Sequence, residues 1–229
     1  QSTVNPFLFL RDFFGVIVVV GLGISFYRRH ILKTPRLVNN AMDHYMVAIL
    51  AGIMLTGFLL QASQIPSHSV YEQMVQDYSE IEDEDELKAL EAFWVQNYGV
   101  VSPDAKSPFD ADLLEQGAEA NEMNCADCHA PAQAAFVSYA LSAGIRPAAL
   151  YLNRIGFHDI LYYIHFWLCL FGLAYLPFSR MFHIIVSPIS LLANAVADPE
   201  KSDPAVVATR QIMELDACTH CGVCSANCF

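Results

Sequence analysis

The sequence predicts a mainly α-helical membrane protein, a bundle of about three transmembrane helices with an outer helical domain and a short cytosolic segment. Its 55% hydrophobic content and mean hydropathy of +0.35 exceed the roughly 45–50% apolar content of soluble domains. Three stretches are apolar over about the ~20 residues needed to cross a bilayer. Two cysteine motifs, at 125–129 and 218–228, are typical of two kinds of cofactor site that are normally assembled on opposite sides of a membrane. These observations place the chain across a membrane.

Residues 1–65 are predicted to form the first two transmembrane helices. Residues 7–27 make the first apolar span. The link after it carries four cations in nine residues (Arg28, Arg29, Lys33 and Arg36), and the positive-inside rule places such a link in the cytoplasm. The second span, residues 42–63, returns to the outer face and ends before Pro66, where proline disfavours helical continuation. The N-terminus is then expected outside the cytoplasm.

Residues 66–156, the acidic domain, are predicted to be solvated on the outer, periplasmic side. Between Tyr71 and His129 there are 16 acidic residues against two lysines. A helix is expected from Asp83 to Tyr98, because acidic residues favour a helix start and Gly99 suits its end. A second is expected over residues 112–123. The acidic run is either a solvated helix face or a docking surface for a basic cytochrome, and the net charge of -12 argues against nucleic-acid binding.

The Cys125-Ala-Asp-Cys128-His129 segment has the spacing of a c-type haem attachment site. In such a site both thiols bond covalently to haem and the adjacent histidine ligates iron. One haem c is therefore expected in the acidic domain. Its second axial ligand stays open between His158, His68 and Met74, with interfacial hydrogen bonding as the alternative role of these side chains.

Residues 157–196 are predicted to be one long transmembrane helix that crosses inward, whereas residues 131–152 lie at the outer interface. His165 and His183 are 18 residues apart, which is five whole helical turns. Intramembrane histidines are costly and usually functional, so one or two haems b are expected on this face. His44 is expected to share the inner haem with His183. Hydrogen-bonded core histidines are the alternative.

Residues 197–229 are predicted to be a cytosolic linker and the start of a ferredoxin-like iron–sulfur domain. Three thiols at two-residue gaps match the cubane cluster run better than paired zinc sites. At least one 4Fe-4S cluster is expected on Cys218, Cys221 and Cys224, with a fourth thiolate from Cys228 or from a region beyond Phe229. The remaining cysteine, Cys169, lies in an apolar helix and is expected to be a packing residue.

The segments 164–167 (Ile-His-Phe-Trp) and 176–184 (Leu-Pro-Phe-Ser-Arg-Met-Phe-His-Ile), followed by Pro188, resemble the final helix of the respiratory nitrate reductase gamma-subunit family. With the attached cysteine run, the chain resembles the membrane subunits of heterodisulfide-reductase-like and Dsr-type complexes. This resemblance covers roughly half the chain. It implies a dihaem cytochrome b of anaerobic respiration in the cytoplasmic membrane of a bacterium or archaeon, exchanging electrons with a quinone such as menaquinone.

Two departures from that family matter. Where the family carries the partner histidine of the outer haem, this chain has Met54. The outer haem is then expected to have His165 and Met54 as ligands, although Met54 is otherwise an ordinary core or lipid-facing residue. The acidic domain replaces two further family helices and adds the haem c motif, so an outer electron port is expected.

The resulting hypothesis is a membrane cytochrome subunit of a respiratory complex. Electrons would pass between a periplasmic multihaem c-type cytochrome, the haems, the quinone pool and a cytosolic iron–sulfur or reductase subunit. Apart from the metal ligands, no nucleophile and base constellation indicates catalysis on a small substrate. A membrane-bound redox sensor or anchor, and an electron conduit without quinone, are the alternatives.

Overall fold

The computed structural model describes residues 7–33, 41–196 and 203–216, and these are mainly helical without a β-strand. The predicted mainly α fold is confirmed for this part of the chain. The cysteine run at 218–228 lies outside the described residues, so the predicted cluster site stays a prediction. The chain divides into two compact units. The first contains residues up to Val18 and Met54–Phe166, and the second contains Val19–Ile53 and residues from Trp167 onward.

The α-helices of the described residues follow one another along the whole chain. They are α1 (Phe7–Phe26), α2 (Ala41–Gln64), α3 (His68–Tyr78), α4 (Glu84–Asn97), α5 (Ala111–Asn124), α6 (Phe136–Ile145), α7 (Ala149–Arg154), α8 (Phe157–Tyr175), α9 (His183–Val196) and α10 (Pro204–Asp216).

Three of these segments are long and apolar enough to span a membrane. Helix α1 continues through a π-helical turn to give an apolar segment over Phe7–Ile31, α2 forms the second, and α8 extends to Phe178. The first two predicted spans are confirmed within a few residues at each end, and the third is confirmed over Phe157–Phe178. The protein is therefore a membrane protein by the length and composition of its helices.

Glycines allow close contact between helices in the first unit. A Cβ atom at Gly15 of α1 would lie 2.6 Å from the ring of Phe58 and 3.1 Å from the Met54 methyl group of α2. A Cβ atom at Gly57 of α2 would lie 3.2 Å from the His165 ring of α8. Small residues of this kind let transmembrane helices approach closely, and here they bring His165 against α2.

A buried aspartate holds the start of α6. Asp12 of α1 is fully buried, and its carboxylate accepts hydrogen bonds from the backbone N–H groups of Val137 and Ser138 at 2.9 and 3.0 Å and from the Ser138 hydroxyl at 3.2 Å. These are orphan donors of the first turn of α6, whose own N-cap residue, Ala135, has no side-chain oxygen. Asp12 therefore caps a helix more than 120 residues away in sequence.

The acidic domain has a core formed by α3, α4 and α5. Helix α4 begins where the Asp83 side chain accepts a hydrogen bond from the Asp85 N–H, and Gly99 follows its end with a φ of +84°. A Cβ atom at Gly117 of α5 would collide with the Ala89 carbonyl of α4, so these two helices pack at backbone contact distance. The predictions of α4 and α5 are confirmed, whereas α3 was not predicted.

The prediction of one continuous helix over residues 157–196 is wrong. Helix α8 ends at Tyr175, and two single 3₁₀ turns, Leu176–Phe178 and Arg180–Phe182, precede α9. His183 is the first residue of α9. Helical periodicity therefore does not relate His165 to His183, and the prediction that they lie on one helix face is wrong.

Local chemistry explains this interruption. Pro177 has no N–H to continue the α-helical hydrogen bonds and lies at the start of the first 3₁₀ turn. Ser179 then adopts an extended conformation, with φ of -109° and ψ of 162°, and its hydroxyl accepts a hydrogen bond from the Met181 N–H at 3.2 Å. Serine thus ends one turn and caps the next.

Candidate functional site

A cavity of about 590 Å³ lies in the first unit beside the Cys-x-x-Cys-His motif. This volume falls within the ~300–1,000 Å³ typical of small-molecule and cofactor sites. All three predicted haem c residues, Cys125, Cys128 and His129, line it. Most of the remaining lining comes from the end of α2, from α3, and from the two aromatic residues Trp94 and Tyr98 at the end of α4. The structure thus brings the predicted attachment residues together at one hollow large enough for a cofactor.

The motif folds as a tight turn directly after α5. The backbone N–H groups of Cys128 and His129 both donate to the Cys125 carbonyl, at 3.1 and 2.9 Å. Cys125 is buried, Cys128 is exposed, and they do not form a disulfide. Burial, with the neighbouring Cys128, raises the pKa of the Cys125 thiol to about 11. Dithiol oxidoreductases typically have a lowered thiol pKa instead.

Aromatic rings fix the orientation of His129. The Trp94 ring meets the imidazole edge to face at 5.5 Å and 73°, and it stacks on Tyr98 at 4.1 Å. The Trp94 indole N–H donates to the Asn121 side chain at 3.0 Å, which locks the indole. Burial lowers the pKa of His129, so the imidazole is neutral near pH 7 and in the protonation state that a metal ligand needs.

Tyr71 carries a buried polar group at the cavity. The residue is 6% exposed and lines the cavity, and its hydroxyl has no hydrogen-bond partner among the described residues. Burial raises its pKa, with smaller contributions from Glu91 and Cys125. A buried hydroxyl left unpaired costs free energy, so this group is suited to a polar atom of a bound molecule. The cavity, its apolar lining and this hydroxyl all fit a haem.

The three candidates for the second axial ligand of haem c differ in their surroundings. The His68 ring lies 2.8 Å from Glu91 at Nε2 and 3.5 Å from Glu72 at Nδ1. His158 Nε2 lies 3.4 Å from Asp159. Met74 lines the cavity, whereas neither histidine is among its described lining residues.

His165 is oriented by a hydrogen bond within the first unit. Its Nδ1 lies 2.9 Å from the Thr56 hydroxyl of α2, and its ring lies against Gly57. Ligating histidines are typically held through the ring nitrogen that does not bind the metal, so coordination by His165 would use Nε2. Met54, half-buried, lies on the same helix as Thr56 and contacts the position of Gly15.

In the second unit, His44 lies beside a histidine that the sequence analysis did not consider. The rings of His44 and His30 are 5.3 Å apart. The residues that directly precede these histidines, buried Asp43 and Arg29, form an ion pair at 3.2 Å. His183 is half-buried at the start of α9. The pairing of His44 with His183 on one haem stays a prediction.

Within the described ranges, no group of three or more histidine, cysteine or acidic residues could hold a metal ion. Such a group is typical of sites in which protein alone supplies the ligands. The haem sites predicted here need one or two protein ligands each, so this result does not test them.

Several site residues were not found from the sequence. The relevant contacts of Tyr71, Trp94 and Thr56 are with residues distant in the sequence, which only folding brings close. One local signal was present for α3, because Ser67 precedes it as an N-cap, accepting from Val70 N–H at 3.4 Å. Apolar and aromatic residues then recur at helical spacing at positions 71, 74, 75 and 78.

In comparisons with known proteins, no protein-family profile, curated protein or solved structure matches this chain.

Proposed function

We propose that this chain is the membrane cytochrome subunit of a respiratory complex and transfers electrons between a haem c in the acidic domain, one or two haems b and a quinone. The observation that carries the proposal is the cavity of about 590 Å³ with Cys125, Cys128 and His129 on its wall. A chance Cys-x-x-Cys-His sequence has no reason to lie beside a cofactor-sized hollow.

Each residue of the site has a defined part in this proposal. Cys125 and Cys128 would hold the haem through thioether bonds and His129 would ligate its iron. Trp94 fixes the imidazole plane through its edge-to-face contact. Bound haem supplies reversible one-electron chemistry, and the protein supplies spacing, ligands and a low-dielectric surround.

The membrane helices contribute the haem b ligands in this proposal. His165, held by Thr56, is paired with Met54 at one haem, and His44 is paired with His183 at the other. A quinone would bind in the apolar bundle beside His165 and Met54. The support is the hydrogen bond between the Thr56 hydroxyl and His165 Nδ1, an arrangement typical of ligating histidines.

The partners follow from the family resemblance and the charge distribution. A multihaem c-type cytochrome would dock on the periplasmic acidic domain, and an iron–sulfur or reductase subunit would receive electrons near Cys218, Cys221, Cys224 and Cys228 on the cytoplasmic side. The N-terminus and haem c would be periplasmic and the C-terminus cytoplasmic, in the cytoplasmic membrane of a bacterium or archaeon. The four cations after α1 support this orientation.

The decisive experiment is haem quantification. The purified full-length protein is extracted with acidified acetone, and pyridine haemochrome spectra are taken of both fractions, because haem b leaves with the solvent and thioether-bound haem c does not. One haem c to two haems b is expected. Absence of residual haem c would overturn the proposal.

Cysteine alkylation after full denaturation is a second test of covalent haem attachment, with Cys169 as its internal control. Cys125 and Cys128 are expected to resist alkylation because their sulfurs are in thioether bonds, whereas Cys169 is expected to react. The variant Cys125→Ala is expected to lose most covalent haem, and Cys169→Ala is expected to retain it. Alkylation of Cys125 and Cys128 in the haem-containing protein would contradict covalent attachment.

A further inference from the structure

The cavity beside the Cys-x-x-Cys-His motif has one thioether donor in its wall. Among the described lining residues, His129 is the single histidine and Met74 the single methionine. A haem iron that takes His129 on one face has a second axial position. Methionine sulfur is an established haem ligand for that position, opposite histidine.

Met74 is held at the cavity by the packing of α3. Tyr71, Met74 and Val75 are spaced three and four residues apart, so they lie on one face of the helix. This face packs on the core cluster that contains Trp94 and Cys125, with Met74 partly buried against it. The methionine side chain is therefore directed by helix geometry to the same core that carries the attachment turn.

The two competing histidines have other engagements. Both ring nitrogens of His68 face carboxylates, Glu91 at 2.8 Å and Glu72 at 3.5 Å, and ligation would require the imidazole to leave them. His158 lies 3.4 Å from Asp159 and is not among the described lining residues. The cavity also carries the buried Tyr71 hydroxyl, which has no hydrogen-bond partner within the described part of the chain and independently indicates that a ligand belongs there.

We infer that Met74 is the second axial ligand of the haem c, opposite His129; this inference rests on the proposed function. Thioether sulfur is a soft ligand that favours the ferrous state and raises the reduction potential relative to a second histidine. The haem c would then be the high-potential centre of the acidic domain, suited to exchange electrons with a soluble cytochrome c.

The test uses spectroscopy of the full-length protein in detergent, with Met54→Leu as the parent so that Met54 cannot supply sulfur to any haem. Ferric haem with histidine and methionine ligands shows a weak sulfur-to-iron charge-transfer band in the far red, which is read by absorption and magnetic circular dichroism. We expect this band in the parent. Met74→Leu should abolish it, keep the covalent haem and lower its midpoint potential. The matched control Met123→Leu, at an exposed methionine near the motif, should keep both band and potential.

A second variant keeps the inference falsifiable if Met74→Leu fails to accumulate. Met74→His should retain covalent haem and give a bis-histidine spectrum at lower potential, a result that a purely structural role would not produce. Covalent haem without the sulfur band in the parent, or a band that survives in either Met74 variant, would overturn Met74 ligation alone. Absence of covalent haem in the parent would overturn the proposed function together with it.

Discussion

At the scale of single residues, two candidate ligands of the same residue type differ in the groups that their side chains contact. His165 and His68 are both half-buried histidines in the first unit. His165 contacts a neutral hydroxyl, that of Thr56, whereas His68 lies between two carboxylates. The contact with Thr56 engages one ring nitrogen of His165 and leaves the arrangement typical of a ligating histidine, whereas carboxylates lie at both ring nitrogens of His68.

The first prediction concerns Thr56. Thr56→Val preserves shape but removes the hydroxyl at 2.9 Å from His165 Nδ1. Loss of a hydrogen bond that orients a ligating histidine typically lowers metal affinity or activity by about 10- to 100-fold, so we expect a lower ratio of haem b to haem c and a shifted haem b midpoint potential.

The matched control for this change is Thr56→Ser, which keeps the hydroxyl and should keep the haem. Haem content is read from pyridine haemochrome spectra of the two extraction fractions, and the potential from redox titration. Equal haem b content and potential in the valine variant would show that Thr56 does not support an iron ligand.

The second prediction concerns Asp12, which is fully buried on α1. Asp12→Ala leaves the Val137 and Ser138 N–H groups without the carboxylate that they now contact. Each buried donor left unpaired costs about 1–3 kcal/mol, so a marked fall in the thermal unfolding midpoint of the detergent-solubilised protein is expected. The exposed Asp104→Ala should change it little. An unchanged midpoint for Asp12→Ala would mean that water replaces the carboxylate.

At the scale of helices, the correct predictions concern features that depend only on residues close together in the sequence. The apolar spans and the start of α4 at Asp83 depend on composition and capping within a few residues. The break after Tyr175 was not predicted because the apolar pattern of the sequence continues across Pro177. Proline has no backbone N–H, so the helical hydrogen bonds do not continue with it. The role of Asp12 depends on a partner 125 residues away, which no periodicity encodes.

The third prediction concerns the close packing of α4 on α5. Gly117→Ala places a methyl group against the Ala89 carbonyl, and overpacking of this kind typically costs about 1–3 kcal/mol. A lower unfolding midpoint and a lower yield of covalent haem are expected, because α5 leads directly into the attachment turn.

Gly144→Ala is the matched control, since a Cβ atom there has no neighbour within 4 Å. This change should be neutral or stabilise α6 by up to about 1 kcal/mol, because alanine favours helices over glycine. If both glycine variants behave alike, the close approach of α4 and α5 is not needed for haem attachment.

At the scale of the whole molecule, charge is distributed more unevenly than the net value shows. The chain carries -12 overall, and the segment from Tyr71 to His129 has 16 acidic residues and two lysines. Acidic side chains in its exposed part cluster before and within the first turn of α4. Such a field attracts basic partners and repels acidic ones at distances set by the Debye length.

The fourth prediction follows from this field. Electron transfer between the full-length protein and a basic soluble cytochrome c should slow by at least about tenfold from low to physiological ionic strength, because screening removes electrostatic steering. The double variant Glu82→Gln with Glu84→Gln should weaken that dependence, while Asp83 is kept so that α4 retains its cap. An acidic cytochrome should show no such fall and provides the control. If basic and acidic cytochromes respond equally to salt in stopped-flow measurements, the acidic residues form a solvated face and the docking partner binds elsewhere.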